Sequence, residues 1–224
     1  MKTVLEHIEH KAVSVPAGEI ELAADLALPE AARGVVLFAH GSGSSRKSPR
    51  NRHVADVLNH GAIGSVLIDL LTEEEERLDA HTAGLRFDID LLVRRLTAIT
   101  DWLVAQPDLA KFGIGYFGAS TGAAAALGAA ALRPEAVRAV VSRGGRPDLA
   151  GSALRQVFAP CLFIVGSNDA FVLDLNRDAM ASLPRETKRR LEIIPGATHL
   201  FEEPGTLDRV AELARDWFRC YLSS

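Results

Sequence analysis

Residues 114–122 read Ile-Gly-Tyr-Phe-Gly-Ala-Ser-Thr-Gly, and the Ala-rich stretch 123–131 follows them. The apolar start is typical of a buried strand, and the alanines are typical of a helix that packs closely on a sheet. In a sharp strand-to-helix turn of the form Gly-x-Ser-x-Gly, the glycines avoid clashes and the serine hydroxyl is exposed. We therefore expect Ser120 to be a nucleophile, although a Gly- and Ala-rich helix start could match the pattern by chance.

Short apolar runs alternate with amphipathic helical periods after residue 34. Such runs predict strands buried on both faces, and their alternation with helices predicts a mostly parallel sheet with helices on both sides. Two earlier strands, joined by a turn at 16–18, are expected to form antiparallel edge strands. We predict one α/β domain over residues 1–224, without a large lid and with about eight strands, at 12–15, 20–28, 35–39, 65–70, 114–117, 137–142, 161–165 and 191–194.

Two partners for the serine follow later strands. A serine hydroxyl is a weak nucleophile and needs a base, which a carboxylate orients. Asp169 lies just past the strand 161–165, and His199 lies in the loop after the strand 191–194. The chain order Ser, Asp, His predicts a catalytic triad. The alternatives are that Asp169 caps the next helix and that His199 is a surface histidine.

The loop at residues 40–45 reads His-Gly-Ser-Gly-Ser-Ser and follows the strand 35–39. Attack on an ester carbonyl creates an oxyanion that needs N–H donors. We expect these donors to be the backbone N–H groups of Thr121 and Ser42. His40 is interpreted as a structural histidine that fixes this loop.

Arg143 and Arg146 enclose two glycines directly after the strand 137–142. Loops at the carboxyl ends of parallel strands surround the site in open α/β sheets, so both guanidiniums are candidate substrate-binding groups for a carboxylate or phosphate. The alternative is that they pair with carboxylates of the chain itself.

Several other functions are disfavoured by composition. The net charge of −4 argues against a nucleic-acid binder, and two scattered cysteines do not suggest a disulfide framework. The seven histidines are dispersed, so we expect no metal and no cofactor. Residues 1–11 lack the apolar core of a signal peptide and no run approaches 18 apolar residues, so we expect a cytoplasmic protein that binds no membrane.

The assembled motifs resemble the α/β-hydrolase superfamily and, within it, the group related to dienelactone hydrolase. The resemblance rests on residues 40–45, 118–122 and 196–199, on Asp169 with Val172, and on the segments 86–89 and 142–147. Some members of this group are joined to phosphoribosyltransferase domains. Dienelactone hydrolases themselves use a cysteine nucleophile where this chain has Ser120, so the resemblance implies ester hydrolysis without implying dienelactone as substrate.

The expected function is hydrolysis of small carboxylic esters through an acyl-enzyme on Ser120. The same triad could cleave a thioester, lactone or amide, and a non-catalytic binding protein on the same fold is the alternative from another class. We expect a small-molecule ester as the binding partner, and a monomer or small homo-oligomer.

Overall fold

The computed structural model describes residues 7–222. Its eight strands are β1 Ile8–Ala17, β2 Ile20–Pro29, β3 Gly34–Ala39, β4 Gly64–Ile68, β5 Gly113–Ala119, β6 Val137–Arg143, β7 Cys161–Gly166 and β8 Arg189–Ile194. They form a single sheet in the order β1-β2-β4-β3-β5-β6-β7-β8. β1 pairs antiparallel with β2 and β2 with β4, whereas the remaining neighbours are parallel.

Helices cover both faces of this sheet. The helices are α1 Pro49–His60, α2 Glu73–Thr82, α3 Ile89–Ala105, α4 Thr121–Leu132, α5 Ala170–Ser182 and α6 Thr206–Leu222, with 3-10 segments at Leu85–Phe87 and Pro147–Gln156. One apolar cluster joins the sheet to α3 and α4, and a second joins it to α1 and α6. Only the second 3-10 segment lies between β6 and β7, so the described chain has no large lid there.

The predicted α/β-hydrolase fold is confirmed, including the antiparallel N-terminal pair and the parallel strands. β1 is longer than expected because residues 8–11 pair with β2 while carrying no apolar pattern. β4 ends at Ile68 instead of residue 70, since the Leu70 N–H donates to a side chain, His40 Nε2, and not to the sheet. β6 continues to Arg143, which pairs with neighbouring strands on both sides.

Helix α4 explains the run of alanines. Residues 121–130 are all buried, because this helix lies between the sheet, α3 and the second 3-10 segment. Side chains larger than methyl would force these layers apart, and small residues permit the close approach. The helix that follows the predicted nucleophile is therefore fixed in position by packing over residues 121–130.

The sequence analysis considered residues 1–11 for a signal peptide. Residues 1–6 of that segment lie outside the described residues. Within residues 7–222, no helix combines the length and apolar character needed to cross a membrane.

Candidate active site

Ser120 occupies the turn between β5 and α4 and has a left-handed backbone conformation, with φ 50° and ψ −121°. This conformation is strained for a residue with a side chain and is typical of a nucleophile turn. A Cβ at Gly118 would lie 2.4 Å from Ala123 Cα, and one at Gly122 would lie 2.1 Å from the Ala39 carbonyl oxygen. Both glycines are therefore required by close backbone contacts, and the predicted turn is present.

Asp169 and His199 are brought together by their loops. His199 Nδ1 lies 2.6 Å from Asp169 Oδ2, a short distance for a hydrogen bond. Asp169 stands at the start of α5 but makes no side-chain capping bond to the helix. Its carboxylate therefore faces the imidazole, which removes the alternative that it acts as a helix cap. The His199 side chain remains 38% exposed, so its other nitrogen can be reached from outside.

The two loops that carry these side chains are joined by their own hydrogen bonds. The Asn168 N–H donates to the Ala197 carbonyl over 3.0 Å, and the Asn168 amide donates to the Gly196 carbonyl over 2.9 Å. The Gly196 N–H in turn donates to Ser167 Oγ over 2.8 Å. Because these contacts cross from one loop to the other, the carboxylate and the imidazole are held at a fixed separation.

The sequence did not indicate the role of Glu203. Its Oε1 accepts hydrogen bonds from the N–H and the hydroxyl of Thr198, over 3.1 and 2.6 Å, and these bonds lower the Glu203 pKa. Thr198 directly precedes His199, so this contact closes the loop around the imidazole. The sequence feature that could have indicated this contact is a threonine followed by a glutamate five residues later, across a turn.

Ser120 Oγ makes no hydrogen bond to any residue between 7 and 222, His199 included. Catalytic hydrogen bonds are often loose without substrate and tighten when it binds. The structure thus brings His199 and Asp169 into contact, and places Ser120 on its turn at the same edge of the sheet without closing the last bond.

The two predicted oxyanion donors differ in the structure. The Thr121 N–H is the first of α4, where helix geometry leaves it unpaired, and it donates to no group in the described chain. The Ser42 N–H instead donates to Thr121 Oγ1 over 2.9 Å. Thr121 is therefore a free donor, whereas Ser42 would have to share or leave its bond to serve an oxyanion.

His40 joins the loop after β3 to the segment after β4. Its Nε2 accepts from the Leu70 N–H over 3.0 Å, so Nδ1 carries the proton and donates to the Gly41 carbonyl over 3.0 Å. Only the neutral imidazole satisfies both bonds, and burial lowers the His40 pKa in agreement with this. The geometry is that of the structural histidine predicted from the sequence.

The replacement His40→Ala should lower the free energy of unfolding by about 1–3 kcal/mol, because the buried Leu70 N–H loses its acceptor. Stability of the wild type should also fall as pH drops below about 6.5, since the unfolded chain then takes up a proton that the folded His40 site resists. Chemical denaturation between pH 5 and 8 measures both effects. His81→Ala, at an exposed histidine, is the control, and equal pH slopes in wild type and His40→Ala would contradict the assignment.

The two candidate arginines point to different places. Arg143 is the last residue of β6 and is buried, with its guanidinium 5.9 Å from the Phe201 ring centre. Arg146 lies 5.9 Å from the Phe171 ring centre and donates to both Asp148 oxygens, over 2.9 and 2.8 Å. The two guanidiniums thus pack against different rings, and Arg146 pairs with Asp148, as in the alternative of pairing within the chain. Substrate binding by Arg146 stays a prediction.

The chain is similar in sequence and in fold to known hydrolases. Residues 24–221 match the dienelactone hydrolase family. The chain belongs to this family. It is 59% identical to the dienelactone hydrolase of Anabaena variabilis, whose crystal structure matches with a TM-score of 0.94 over 96% of this chain and 99% of that one. Family and fold together support a hydrolase.

The chain is also similar to one curated protein in sequence and to a second solved structure in fold. A Mycobacterium tuberculosis protein, named as a phosphoribosyl transferase, is 58% identical to this dienelactone hydrolase family member over 206 residues, which are 92% of this chain and 45% of that protein. The chain thus spans about half the length of the curated relatives it matches. Est1E of Butyrivibrio proteoclasticus, solved with ferulic acid, is 16% identical with a TM-score of 0.79 over 94% of this chain and 99% of that one, and shares the fold.

Proposed function

We propose that the chain hydrolyses small carboxylic esters, with Ser120 as nucleophile, His199 as general base and Asp169 as the group that orients the base. The observation that carries the proposal is the 2.6 Å contact between His199 Nδ1 and Asp169 Oδ2, at the sheet edge where Ser120 has its strained turn. The hydrogen bond to the carboxylate fixes the imidazole with its proton on Nδ1. Its Nε2 is then free to accept the serine proton.

The reaction proceeds in two balanced steps. In the first, Ser120 Oγ attacks the ester carbonyl while His199 takes the hydroxyl proton, and the resulting oxyanion accepts from the Thr121 N–H. The carbon–oxygen bond then breaks, and His199 gives its proton to the departing alcohol. In the second step, water attacks the acyl-serine, His199 takes a proton from the water, and Ser120 recovers its hydrogen as the acid leaves.

We expect small, soluble acyl substrates, because the described chain has no large lid between β6 and β7 that would enclose a long acyl chain. A small cavity beside the oxyanion loop is lined by His40, Ser42, Leu70, Leu92 and Thr121, among others, and its lining includes neither Ser120 nor His199. Thioesters, lactones and amides can be attacked by the same groups, so the type of bond cleaved remains open within this proposal. The transferase activity in the name of the curated relatives belongs to proteins about twice as long and is not part of the proposal.

A substrate panel tests the proposed function. We expect short-chain esters, such as 4-nitrophenyl acetate and butanoate, to have kcat/KM values that fall as the acyl chain is lengthened to octanoate, because the described chain has no large lid to cover a long acyl chain. Matched acetyl thioester, lactone and anilide substrates separate the alternatives. A higher kcat/KM for the thioester or lactone than for every oxygen ester of similar leaving group would replace the ester assignment.

A further inference from the structure

Two arginines beside the candidate site have buried nitrogen atoms without partners. Arg143 is 7% exposed, and its Nε and Nη1 are enclosed with no hydrogen-bond acceptor in the described chain. Arg50, in the first turn of α1, has an enclosed Nε in the same condition. Buried guanidinium groups are nearly always paired, because an uncompensated charge is costly to remove from water.

Among residues 7–222, no carboxylate forms an ion pair with Arg143. Burial, with Arg50 nearby as a second cation, lowers the Arg143 pKa to about 10, so the group is still charged at neutral pH. No salt bridge to Arg143 occurs within residues 7–222, and its recorded contact is with the Phe201 ring. In the described chain, Arg50 forms an ion pair with Glu202, with 3.5 Å between Arg50 Nη1 and Glu202 Oε1. The Glu202 side chain is 65% exposed. Such an exposed pair is weak and can open.

Arg143 lies next to the proposed catalytic groups. Its carbonyl oxygen accepts from the Ser120 N–H over 3.2 Å. A Cβ on the adjacent Gly144 would lie 3.0 Å from the His199 carbonyl oxygen and 3.5 Å from His199 Nδ1. The Phe201 ring that contacts the guanidinium belongs to the same loop as His199. The backbone of Arg143 therefore lies beside the serine and the histidine, and its guanidinium packs against a ring of the His199 loop.

We propose that Arg143 and Arg50 form a subsite for an anionic oxygen group, a carboxylate or a phosphate, on the ester that Ser120 attacks. This inference rests on the proposed function and specifies its substrate class. The start of α1 adds to it, since its first turn contains no acidic residue and a helix N-terminus favours anions. An anion between the two guanidiniums supplies the missing acceptors and removes the repulsion between them.

Arg146 and Arg52 differ from Arg143 and Arg50 because carboxylates of the chain already accept their hydrogen bonds. Arg146 already binds Asp148 through two hydrogen bonds, and Arg52 donates to Asp25 over 2.8 Å. Neither has the buried, unpaired nitrogen atoms of Arg143 and Arg50. Arg52 lies in the same helix as Arg50, which makes Arg52→Met a matched control for loss of one positive charge.

The test compares three esters of one acyl group: methyl 4-acetoxybenzoate, 4-acetoxybenzoate and 4-acetoxyphenyl phosphate. The readout is the ratio of kcat/KM for each anionic ester to that for the neutral one. We expect Arg143→Met and Arg50→Met each to lower this ratio about ten- to a hundredfold, the effect of one charge-assisted contact. Arg52→Met should leave the ratio within about twofold, and the ester whose ratio changes identifies carboxylate or phosphate.

Two outcomes would overturn the subsite. If the arginines only support the fold, both kcat/KM values fall together and the ratio is unchanged. If general positive charge attracts the anion, Arg52→Met lowers the ratio as much as the other two variants do.

Binding in Ser120→Ala separates this inference from the proposed function. Isothermal titration calorimetry with benzoate, phenyl phosphate and benzyl alcohol should show tighter binding of an anion than of the alcohol, and loss of that difference on adding Arg143→Met. If the anion binds but wild type hydrolyses no ester, the subsite is supported and the proposed function is rejected. Hydrolysis with no preference for anions in binding or rate would reject the subsite alone.

Thermal stability gives a second signature. Removing an unpaired buried cation should raise the Tm, so we expect Arg143→Met to melt about 2–4 °C above wild type. A structural arginine would give a lower Tm instead. The same measurement shows whether the variant is folded before its kinetics are compared.

Discussion

Ser120→Ala is expected to lower kcat by about 10⁶, leaving only the residual acceleration that the oxyanion donors and substrate binding supply without the nucleophile. The loss is large because the acyl-enzyme route requires the hydroxyl, and no other hydroxyl occupies the strained turn between β5 and α4. The fold should be unaffected, since Ser120 Oγ makes no hydrogen bond in the described chain and the small alanine adds no atom. Steady-state kinetics with 4-nitrophenyl acetate and a thermal melt measure the two effects.

Ser152→Ala is the control for that experiment, because this exposed serine belongs to the 3-10 segment Pro147–Gln156, away from the turn. It should keep wild-type kinetics. Retention of more than a few per cent of activity in Ser120→Ala would reject the serine as nucleophile. A large fall in Tm would instead show that the variant had lost its structure and that its kinetics could not be interpreted as chemistry.

Asp169→Asn is expected to lower kcat by about 10⁴. The amide can donate to His199 Nδ1, which then loses its proton to Nε2, so the nitrogen facing the serine can no longer accept a proton. KM should change little, because the substrate does not contact Asp169. Stability should also change little, since Asp169 makes no capping bond to α5 and its carboxylate contacts the imidazole alone. Initial rates over a range of substrate concentrations give kcat and KM separately.

Asp174→Asn provides the matched control, because this aspartate lies on the same helix and is 73% exposed. Its kinetics should equal those of wild type. A loss smaller than about tenfold in Asp169→Asn would show that the carboxylate does not orient the base. In that case the contact of Asp169 with His199 would be structural, and the general base would need another orienting group.

The strand and helix arrangement was predictable because parallel strands buried on both faces leave short, continuous apolar runs in the sequence. The observed strand bounds differ from the predicted ones where strand pairing or a side-chain hydrogen bond does not follow the apolar pattern. Residues 8–11 join β1 through backbone bonds while their side chains face solvent. At Leu70 the N–H turns to an imidazole, which no hydrophobic period can indicate.

The candidate site was predictable where a residue type and a strand end coincide. Ser120, Asp169 and His199 each follow a strand, so the parallel sheet places them at one edge. The destination of a long side chain was not predictable, since Arg143 and Arg146 are three residues apart and face different rings, Phe201 and Phe171. The contact of Thr198 with Glu203 depends on a local turn that carries no periodic signal.

The central claim, that Ser120 is the nucleophile, is tested most directly by covalent trapping. The protein is treated with a fluorophosphonate, and the modified residue is located by peptide mass spectrometry. We expect one adduct per chain, on the peptide that contains Ser120, formed in step with loss of esterase activity and absent from Ser120→Ala. An adduct on another residue, or complete inactivation without modification of Ser120, would contradict the assignment.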